Sequence, residues 1–424
     1  MSILVLCLLI ALLLVIRVPV AFAFIGPALL YMVTSDHSTG HALRLVAQST
    51  ASFPLLAVPL FILLGCLANH AGIATRLFDF ALALLSRVRG SLGYVSVGTS
   101  LGFSWMSGSA VADAAALGKV QIPAMLRSGY SKRFALGVTG SASLIAPVMP
   151  PSIPAVIYAG LAAVSTGALF AASVVPALLM ALGLCVVVFL LVRRDPNIQR
   201  AEFSWARVRQ TGIRVIAPLG APVVIIGGIL GGVFTPTEAA AVGAAYMAVL
   251  GFAYGTLRLR DLPRVLTEAV LTTGAVMLIV ASANLLGYIF AREQVPQHIS
   301  EWVLGLTTDP TVFMLLVLLL SFVLGTALDA IAVLTLTVPI LLPLSEIYGV
   351  DPIALGVLMI LSQMIGLLTP PVGTVIFVLQ AITKARMSEV FWGSLPFLVP
   401  FVLLCLAIIF WPDAILYLPR ELGL

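Results

Sequence analysis

Long apolar runs separated by short polar segments fill almost the whole chain. A helix of about 20 apolar residues can cross the hydrocarbon core of a bilayer. At that length, ten or more crossings fit into 424 residues. The pattern therefore predicts an all-α polytopic membrane protein.

One part of this pattern occurs twice. Residues 135–152 read ALGVTGSASLIAPVMPPS, and residues 354–372 read ALGVLMILSQMIGLLTPPV. Upstream of each copy, a Gly-(Ser/Thr)-Ala step is followed by an acid, at 108–113 and at 325–329. A module that is written twice within apolar sequence indicates an internal structural repeat.

The apolar stretch between Arg89 and Arg127 has a small, polar middle, SWMSGSA at 104–110. Two full spans joined by a short loop would fit its length. A re-entrant helical hairpin is favoured, because non-helical backbone at membrane depth is tolerated only against protein or a wet cavity. The second copy predicts a matching hairpin over 311–344.

Consecutive prolines interrupt the segment that follows each hairpin, at 150–151 within 134–164 and at 370–371 within 353–383. Proline lacks an N–H donor and disfavours helix at the preceding residue. Each segment is therefore predicted to be a transmembrane helix broken near its middle. The break exposes carbonyl groups of one half and N–H groups of the other.

Composition supports this assignment. Hydrophobic residues make up 61% of the chain and charged residues 9%, whereas a soluble domain carries about 25% charged residues. The pI near 9.2 does not indicate a nucleic-acid partner, because the basic residues lie between the apolar runs. Four scattered cysteines without a CxxC pair suggest neither disulfides nor a zinc site.

The basic residues also predict the orientation, because cytoplasmic loops are enriched in Lys and Arg. Eighteen of the 22 lie in clusters that we place in the cytoplasm: Arg17, Arg76/Arg87/Arg89, Arg127/Lys132/Arg133, Arg193 to Arg214, Arg258/Arg260/Arg264 and Lys384/Arg386. Both termini and the loop 34–52 are then external. One hairpin enters from the cytoplasm and its copy from outside, which is the inverted-topology repeat typical of alternating-access transporters.

The predicted organisation consists of scaffold segments, two transport repeats and a basic connector. The segments are N-terminal scaffold and interfacial helix 1–90, transport repeat 1 at 91–192 (hairpin 91–126, broken helix 134–164, helix 168–192), cytoplasmic connector 193–214, second scaffold helices 215–306, transport repeat 2 at 307–390 (hairpin 311–344, broken helix 353–383) and C-terminal helix 391–424.

The tips and breaks combine hydroxyl and carbonyl oxygens, which are hard, neutral ligands suited to an alkali cation and a poor set for zinc. Small residues at such tips also allow close helix packing, and this alternative stays open for each serine. Asp329 is either a functional acid within a span or a helix N-cap. Asp113 is either a site residue or the partner of Lys119. Glu238 is predicted to close a capping box with Thr235.

Five strings together resemble the large membrane subunit of tripartite ATP-independent periplasmic (TRAP) transporters, the DctM family. They are SGSAVADAAALG (107–118), IPAMLRSGYSKRFALGVTGSAS (122–143), IAPVMPPSIPAVIYAG (145–160), GGVFTPTEAAAVGAAY (231–246) and IGLLTPPVGTVIFV (365–378). The resemblance implies a secondary transporter of the bacterial inner membrane, with both termini periplasmic. It also implies Na⁺ coupling, an elevator mechanism, and import of a small organic acid that a periplasmic binding protein delivers. A separate four-helix membrane subunit would complete the permease.

Carried over by position, the resemblance also implies site residues. The Na⁺ ligands would come from Ser107, Gly108, Ser109 and Pro147 in the first repeat and from Gly325, Thr326, Asp329 and Thr369 in the second. The substrate contacts would be Ser109, Ser152 and Asp329. No Lys or Arg lies at either tip or in PPSIP, so the class of carboxylate stays open.

Two other functions are compatible with the repeat. One is a self-sufficient ion-coupled carboxylate carrier of the same architecture. The other is an intramembrane enzyme with Asp113 and Asp329 as an acid pair, which is disfavoured because the chain has no HExxH or Walker motif.

Overall fold

The computed structural model describes residues 2–16, 18–35, 40, 44, 46–47, 53–193 and 203–424. Within these ranges the chain forms helices and no strands. The first nine are α1 Ile3–Val15, α2 Val20–Thr34, α3 Ala57–His70, α4 Ile73–Leu85, α5 Ser91–Ser107, α6 Ala110–Arg127, α7 Lys132–Ser143, α8 Ile153–Ala162 and α9 Thr166–Val192. The others are α10 Trp205–Leu230, α11 Pro236–Ala253, α12 Leu262–Arg292, α13 Val295–Leu306, α14 Pro310–Ala327, α15 Ala330–Ile347, α16 Pro352–Leu367, α17 Thr374–Thr383, α18 Met387–Phe410 and α19 Asp413–Glu421.

Three sequence predictions fall outside the described residues: the cytoplasmic placement of Arg17, most of the external loop 34–52, and residues 194–202 of the connector. From Trp205 onward, the predicted connector already belongs to α10.

Seven of the described helices are long and apolar enough to cross a membrane, or eight if the bent pair α3 and α4 forms one span. The sequence pattern predicted ten or more crossings, which is more than these seven or eight helices. The numbers differ because α1, α2 and three halves of the broken segments (α8, α16 and α17) are apolar helices shorter than a full span. The predicted fold class, an all-α polytopic membrane protein, is confirmed.

The first repeat contains a helical hairpin of α5 and α6. Gly108 ends α5 in the left-handed region at φ 57°, and Ser109 caps α6 by accepting a hydrogen bond from the N–H of Ala112 at 3.4 Å. Neither helix is among the seven that are long and apolar enough to span. The hairpin is followed by α7 and α8, which are separated by the proline-containing break at 144–152.

The second repeat has the same order of elements. Helices α14 and α15 form a hairpin that turns at Leu328 and Asp329, and a break at 368–373 separates α16 from α17. Both α14 and α15 are long and apolar enough to span. Gly325 was placed in the tip, but it lies in the last turn of α14.

Close contacts between backbones hold the repeats together. A Cβ on Gly366 would overlap the backbone of Gly325, so α14 and α16 touch at that point. A Cβ on Gly137 in α7 would likewise overlap the carbonyl of Gly393 in α18. Only residues without a side chain allow backbones to approach this closely.

The remaining helices surround these repeats. Helix α4 is amphipathic, as predicted for 73–90, and lies at 61° to α3. Helices α1 and α2 pack on the second half of α12 through a separate apolar cluster that includes Leu6, Phe24 and Leu286. The sequence pattern did not separate α13 as a helix, and it predicted one C-terminal helix over 391–424 where the structure has α18 and α19.

Candidate functional site

A cavity of about 430 Å³ lies where the two hairpin tips meet the two helix breaks. The residues that line it from the repeats are Phe103, Ser107, Gly108, Ser109, Ala110, Val111, Ala112, Ala115, Pro147, Ile153, Pro154, Asp329, Ala330, Ile331, Leu367 and Thr374. Small-molecule pockets in proteins have volumes of about 300–1,000 Å³. The repeated modules therefore converge on one space of ligand size.

Four helices begin at this cavity: α6, α8, α15 and α17. The first N–H groups of a helix have no partner within it, and each N-terminus carries a partial positive charge of about +0.5. Among the described lining residues, none is Lys or Arg, and the acids are Glu268 and Asp329. Positive potential in the cavity therefore comes from helix N-termini.

The first predicted ion-binding set lies together. Ser107, Gly108, Ser109 and Pro147 all line the cavity. The Ser107 side chain is 4% exposed, and its Oγ has no hydrogen-bond partner among the described residues. A buried, unpartnered hydroxyl is costly unless a ligand or water satisfies it.

Ser152 lies behind this set. Its hydroxyl accepts a hydrogen bond from the N–H of Ala155 at 3.2 Å and donates to the carbonyl of Pro147. The residue is fully buried and does not line the cavity. Its visible role is to cap α8 and to hold the carbonyl of Pro147 in place.

The second predicted set is divided. Asp329 lines the cavity, whereas Gly325, Thr326 and Thr369 do not. The carbonyl of Thr326 accepts from the N–H groups of Val372 and Gly373, both at 3.1 Å. The hairpin end and the second break are thus joined directly, outside the cavity.

The hydroxyls of this set are directed at their own helices. Thr326 Oγ1 donates to the carbonyl of Val323 at 2.8 Å, and Thr369 Oγ1 donates to that of Ile365 at 2.8 Å. A hydroxyl that donates its hydrogen still has oxygen lone pairs that can bind a cation.

Asp329 fits both interpretations that its position in the sequence allows. Its Oδ1 accepts from the N–H groups of Ile331 at 2.8 Å and Ala332 at 3.0 Å, so the side chain is the N-cap of α15. The same residue lines the cavity. Capping therefore does not exclude contact with a ligand.

The alternative pairing of Asp113 with Lys119 is wrong. Asp113 is fully buried between α5 and α6, where its Oδ2 accepts from the hydroxyl of Ser100 at 2.9 Å. Its Oδ1 has no partner among the described residues. Lys119 is exposed, on a different side of the same helix.

The predicted capping box at Glu238 is confirmed. The N–H of Thr235 donates to Glu238 Oε2 at 2.8 Å, and the N–H of Glu238 donates to Thr235 Oγ1 at 3.3 Å. The residue is a structural element at the start of α11.

The sequence analysis missed several residues near the site. Asn69 on α3 and Glu268 and Thr272 on α12 also line the cavity. Gln363 on α16 is fully buried against Gly325, and both polar atoms of its side chain lack partners among the described residues. An acid inside an apolar helix is a signal that could have identified Glu268.

Residues 6–414 match the family described as the tripartite ATP-independent periplasmic transporter, DctM component. The chain belongs to this DctM family. Members are large permease subunits that work with a small membrane subunit and a periplasmic binding protein.

Two DctM relatives show how similar the chain is to other members. It is 40% identical over 406 residues, 95% of each chain, to the sialic acid TRAP transporter large permease protein SiaM of Vibrio cholerae. It is 36% identical to the C4-dicarboxylate TRAP transporter large permease protein DctM of Pseudomonas aeruginosa, covering 94% of this chain and 93% of that one. Both relatives are transporter permeases, in agreement with the expectation of a transporter and not an enzyme.

The fold also resembles the crystal structure of the Alcanivorax borkumensis YdaH transporter. The TM-score is 0.60 at 13% sequence identity, and the match covers 96% of this chain and 98% of that one. The two proteins therefore share a fold although their sequences differ widely.

Proposed function

We propose that this DctM chain is the large permease subunit of a Na⁺-coupled TRAP transporter that imports a small organic acid. The observation that carries the proposal is the single cavity at which both hairpin tips and both helix breaks converge. Alternating-access transporters with inverted repeats place substrate and coupling ions at such broken elements.

An organic anion would bind through helix N-termini and hydroxyls. The N-termini of α6 and α15, with Ser109 and Asp329 at their caps, face the cavity. In the described part of the chain, no Lys or Arg side chain lines the cavity, so the helix N-termini and hydroxyls would have to bind the anion. Ser152 would act on the substrate through the carbonyl of Pro147 that it holds.

Na⁺ would bind as a co-transported ion. The first set offers the unpartnered Ser107 hydroxyl together with the tip and break backbone at Gly108, Ser109 and Pro147. The second offers oxygens of Gly325, Thr326 and Thr369 near Asp329. These neutral oxygens and one carboxylate suit a hard monovalent cation.

An elevator movement is supported by the way the repeats contact the other helices. The cavity lies between the hairpins and the helices α3 and α12. A second, almost entirely apolar cavity of about 700 Å³ separates α1, α12 and α13 from the hairpin α14–α15. Loose packing along this boundary favours sliding of the repeats relative to the outer helices.

The partners follow from the family. We propose that a separate four-helix membrane subunit completes the permease and that a periplasmic binding protein delivers the acid. We also propose that the chain lies in the bacterial inner membrane with both termini in the periplasm, an orientation that the basic clusters favour.

The test is uptake into proteoliposomes that contain this chain and its small subunit. The binding protein is added outside, the cargo is the acid that stabilises the binding protein thermally, and a Na⁺ gradient is either present or absent. We expect uptake that needs both the gradient and the binding protein. Uptake without the binding protein would favour a self-sufficient carrier, and uptake without Na⁺ would remove the ion assignment.

A further inference from the structure

The cavity has a second wall, which the repeats do not form. Asn69 on α3 and Glu268 and Thr272 on α12 face it, and we refer to these three residues as the outer wall. The hydroxyl of Thr272 donates to the backbone carbonyl of Glu268 at 2.9 Å, so it is already satisfied. The Glu268 carboxylate is therefore the strongest acceptor on the outer wall.

His70 fixes the surroundings of this carboxylate. Its Nε2 lies 3.8 Å from Glu268 Oε2, and its Nδ1 donates to the carbonyl of Cys66 at 3.0 Å. Because a carbonyl can only accept, Nδ1 carries a hydrogen. Glu268 is 49% exposed, and no Lys or Arg of the described residues lies within 4.0 Å of it, so its carboxylate is accessible to a ligand in the cavity.

The repeats form the opposite side of the cavity, which combines helix N-termini with the Asp329 carboxylate, whose Oδ1 accepts from two N–H groups of α15. Helices α6, α8, α15 and α17 direct their N-termini at it, and Ser107 contributes a hydroxyl that is 4% exposed and has no partner among the described residues. A buried unpartnered hydroxyl is costly unless a ligand or water bonds to it, so this side is suited to a polar ligand. The cavity thus offers helix N-termini, an unpartnered hydroxyl and a carboxylate that caps α15 on one side, and the Glu268 carboxylate on the other.

We propose that Glu268 selects the class of substrate: an organic acid with one carboxylate, whose far end carries hydroxyl or other donor groups. This proposal rests on the proposed function. The single carboxylate would bind at the helix N-termini, and a hydroxyl at the far end would donate to Glu268. A dicarboxylate of the same length would bring its second carboxylate to Glu268, and like charges brought together without a cation are repelled.

Gluconate and glucarate test this directly, because they differ only in whether the terminal carbon is a hydroxymethyl or a carboxylate. Their dissociation constants would be measured by thermal shift on the complex of this chain and its small subunit in nanodiscs, at saturating Na⁺. We expect the wild type to prefer gluconate at least tenfold. Glu268→Gln, and Glu268→Ser if the first variant does not fold, should reduce this ratio at least tenfold, which equals about 1.4 kcal/mol.

Two controls make the result specific. Glu268→Asp keeps the charge and should keep the preference. Glu301→Gln removes an exposed acid on α13 outside the cavity and should leave the ratio unchanged.

The assignment is overturned if Glu268→Gln leaves the ratio unchanged, if the wild type prefers glucarate, or if it binds neither acid. If uptake still depends on Na⁺ and the binding protein, any of these results rejects only the role of Glu268 in substrate selection and leaves the proposed function intact. If no acid that the binding protein binds is taken up in this way, the proposed function itself is rejected.

Discussion

At the scale of single residues, the Asp329 carboxylate both caps a helix and belongs to a residue that lines the cavity. The cap consists of two backbone N–H groups of α15 that donate to the carboxylate. An asparagine has a side-chain oxygen that can cap a helix equally well. Replacement of Asp329 can therefore separate the charge from the cap.

We expect both Asp329→Asn and Asp329→Ala to lose Na⁺-driven uptake, because both remove the carboxylate from the cavity. Only Asp329→Ala should also lose about 1 kcal/mol of stability, the usual cost of a missing N-cap. Uptake in proteoliposomes and thermal unfolding of the purified protein measure the two effects. Normal uptake by Asp329→Asn would show that Asp329 serves as a cap alone.

A second acid predicts a pH dependence. The N–H of Arg386 donates to Glu389 Oε2 at 2.8 Å, and Lys132 Nζ donates to the same oxygen at 3.3 Å, linking the starts of α18 and α7. Both donors favour the ionised form of the carboxylate. Protonation of Glu389 weakens both bonds, so their contribution to stability is lost at low pH.

Glu389→Gln should therefore lower the melting temperature relative to wild type at pH 7, and the difference should shrink as the pH falls and the wild-type carboxylate takes up a proton. Thermal unfolding of both proteins between pH 3.5 and pH 7 measures it. Glu301→Gln, on an exposed position, serves as the control. If the melting temperatures of the two proteins differ by the same amount at pH 3.5 and at pH 7, the charge of Glu389 does not contribute to stability.

At the scale of elements, glycines decide how closely helices approach. Gly137 of α7 and Gly393 of α18 meet backbone to backbone, and a Cβ on either would overlap the other helix. At Gly98 of α5, by contrast, no heavy atom of the described residues outside the helix's own backbone lies within 4 Å of the position of a Cβ. The two types of helical glycine therefore make opposite predictions.

Gly137→Ala should lower the melting temperature clearly or prevent folding, because α7 and α18 would have to separate. Gly98→Ala should be neutral or slightly stabilising, since alanine is favoured over glycine in a helix by up to about 1 kcal/mol. Thermal unfolding and size-exclusion profiles of the two variants test this. Equal behaviour of both would mean that the α7–α18 contact adds nothing to stability.

The two hairpins depend on glycine for different reasons. Gly108 has φ 57°, and a Cβ there would lie 3.0 Å from the carbonyl oxygen of Pro151. Gly325 is helical, and a Cβ there would lie 3.1 Å from the Cα of Gln363. The first needs a left-handed backbone, whereas the second needs close contact between α14 and α16.

Gly108→Val should abolish uptake because valine strongly disfavours the left-handed region. Gly325→Val should do so by forcing the hairpin away from α16. Uptake measurements with expression levels as the control check both variants. Normal transport by Gly108→Val would contradict its place at a tip that requires a left-handed residue.

At the scale of the whole molecule, the cavity is shared between the repeats and the outer helices. Cys66 on α3 lines it, whereas Cys405 is fully buried in the core. A ligand that fills the cavity would thus cover one cysteine and leave the exposure of the other unchanged.

N-ethylmaleimide should modify Cys66 faster than Cys405, and Na⁺ together with the transported acid should slow the reaction at Cys66. Mass spectrometry of the modified peptides gives the rate at each cysteine. Cys7 is exposed and does not line this cavity, so its rate serves as the control. A rate at Cys66 that the acid does not change would place the bound acid elsewhere.

The sequence by itself determined the features that depend on neighbouring residues along the chain. Consecutive prolines predicted both helix breaks because they remove donors locally, and Thr235 with Glu238 predicted a capping box because the motif closes within one turn. The repeat predicted that both hairpins and both breaks belong together, and both hairpin tips, the first break and the two residues that flank the second, Leu367 and Thr374, do line one cavity. The sequence alone could therefore predict that Ser107 to Ser109 and Asp329 line the cavity.

Only the tertiary structure decided which side chains meet across helices. It directed Asp113 to Ser100 and not to Lys119, and it brought His70 of α3 beside Glu268 of α12. The physical reason is that an apolar helix offers much the same surface on many sides, so its sequence does not specify which neighbour it packs against. Such contacts are fixed by backbone approach and cavity shape, which arise only when the helices pack together.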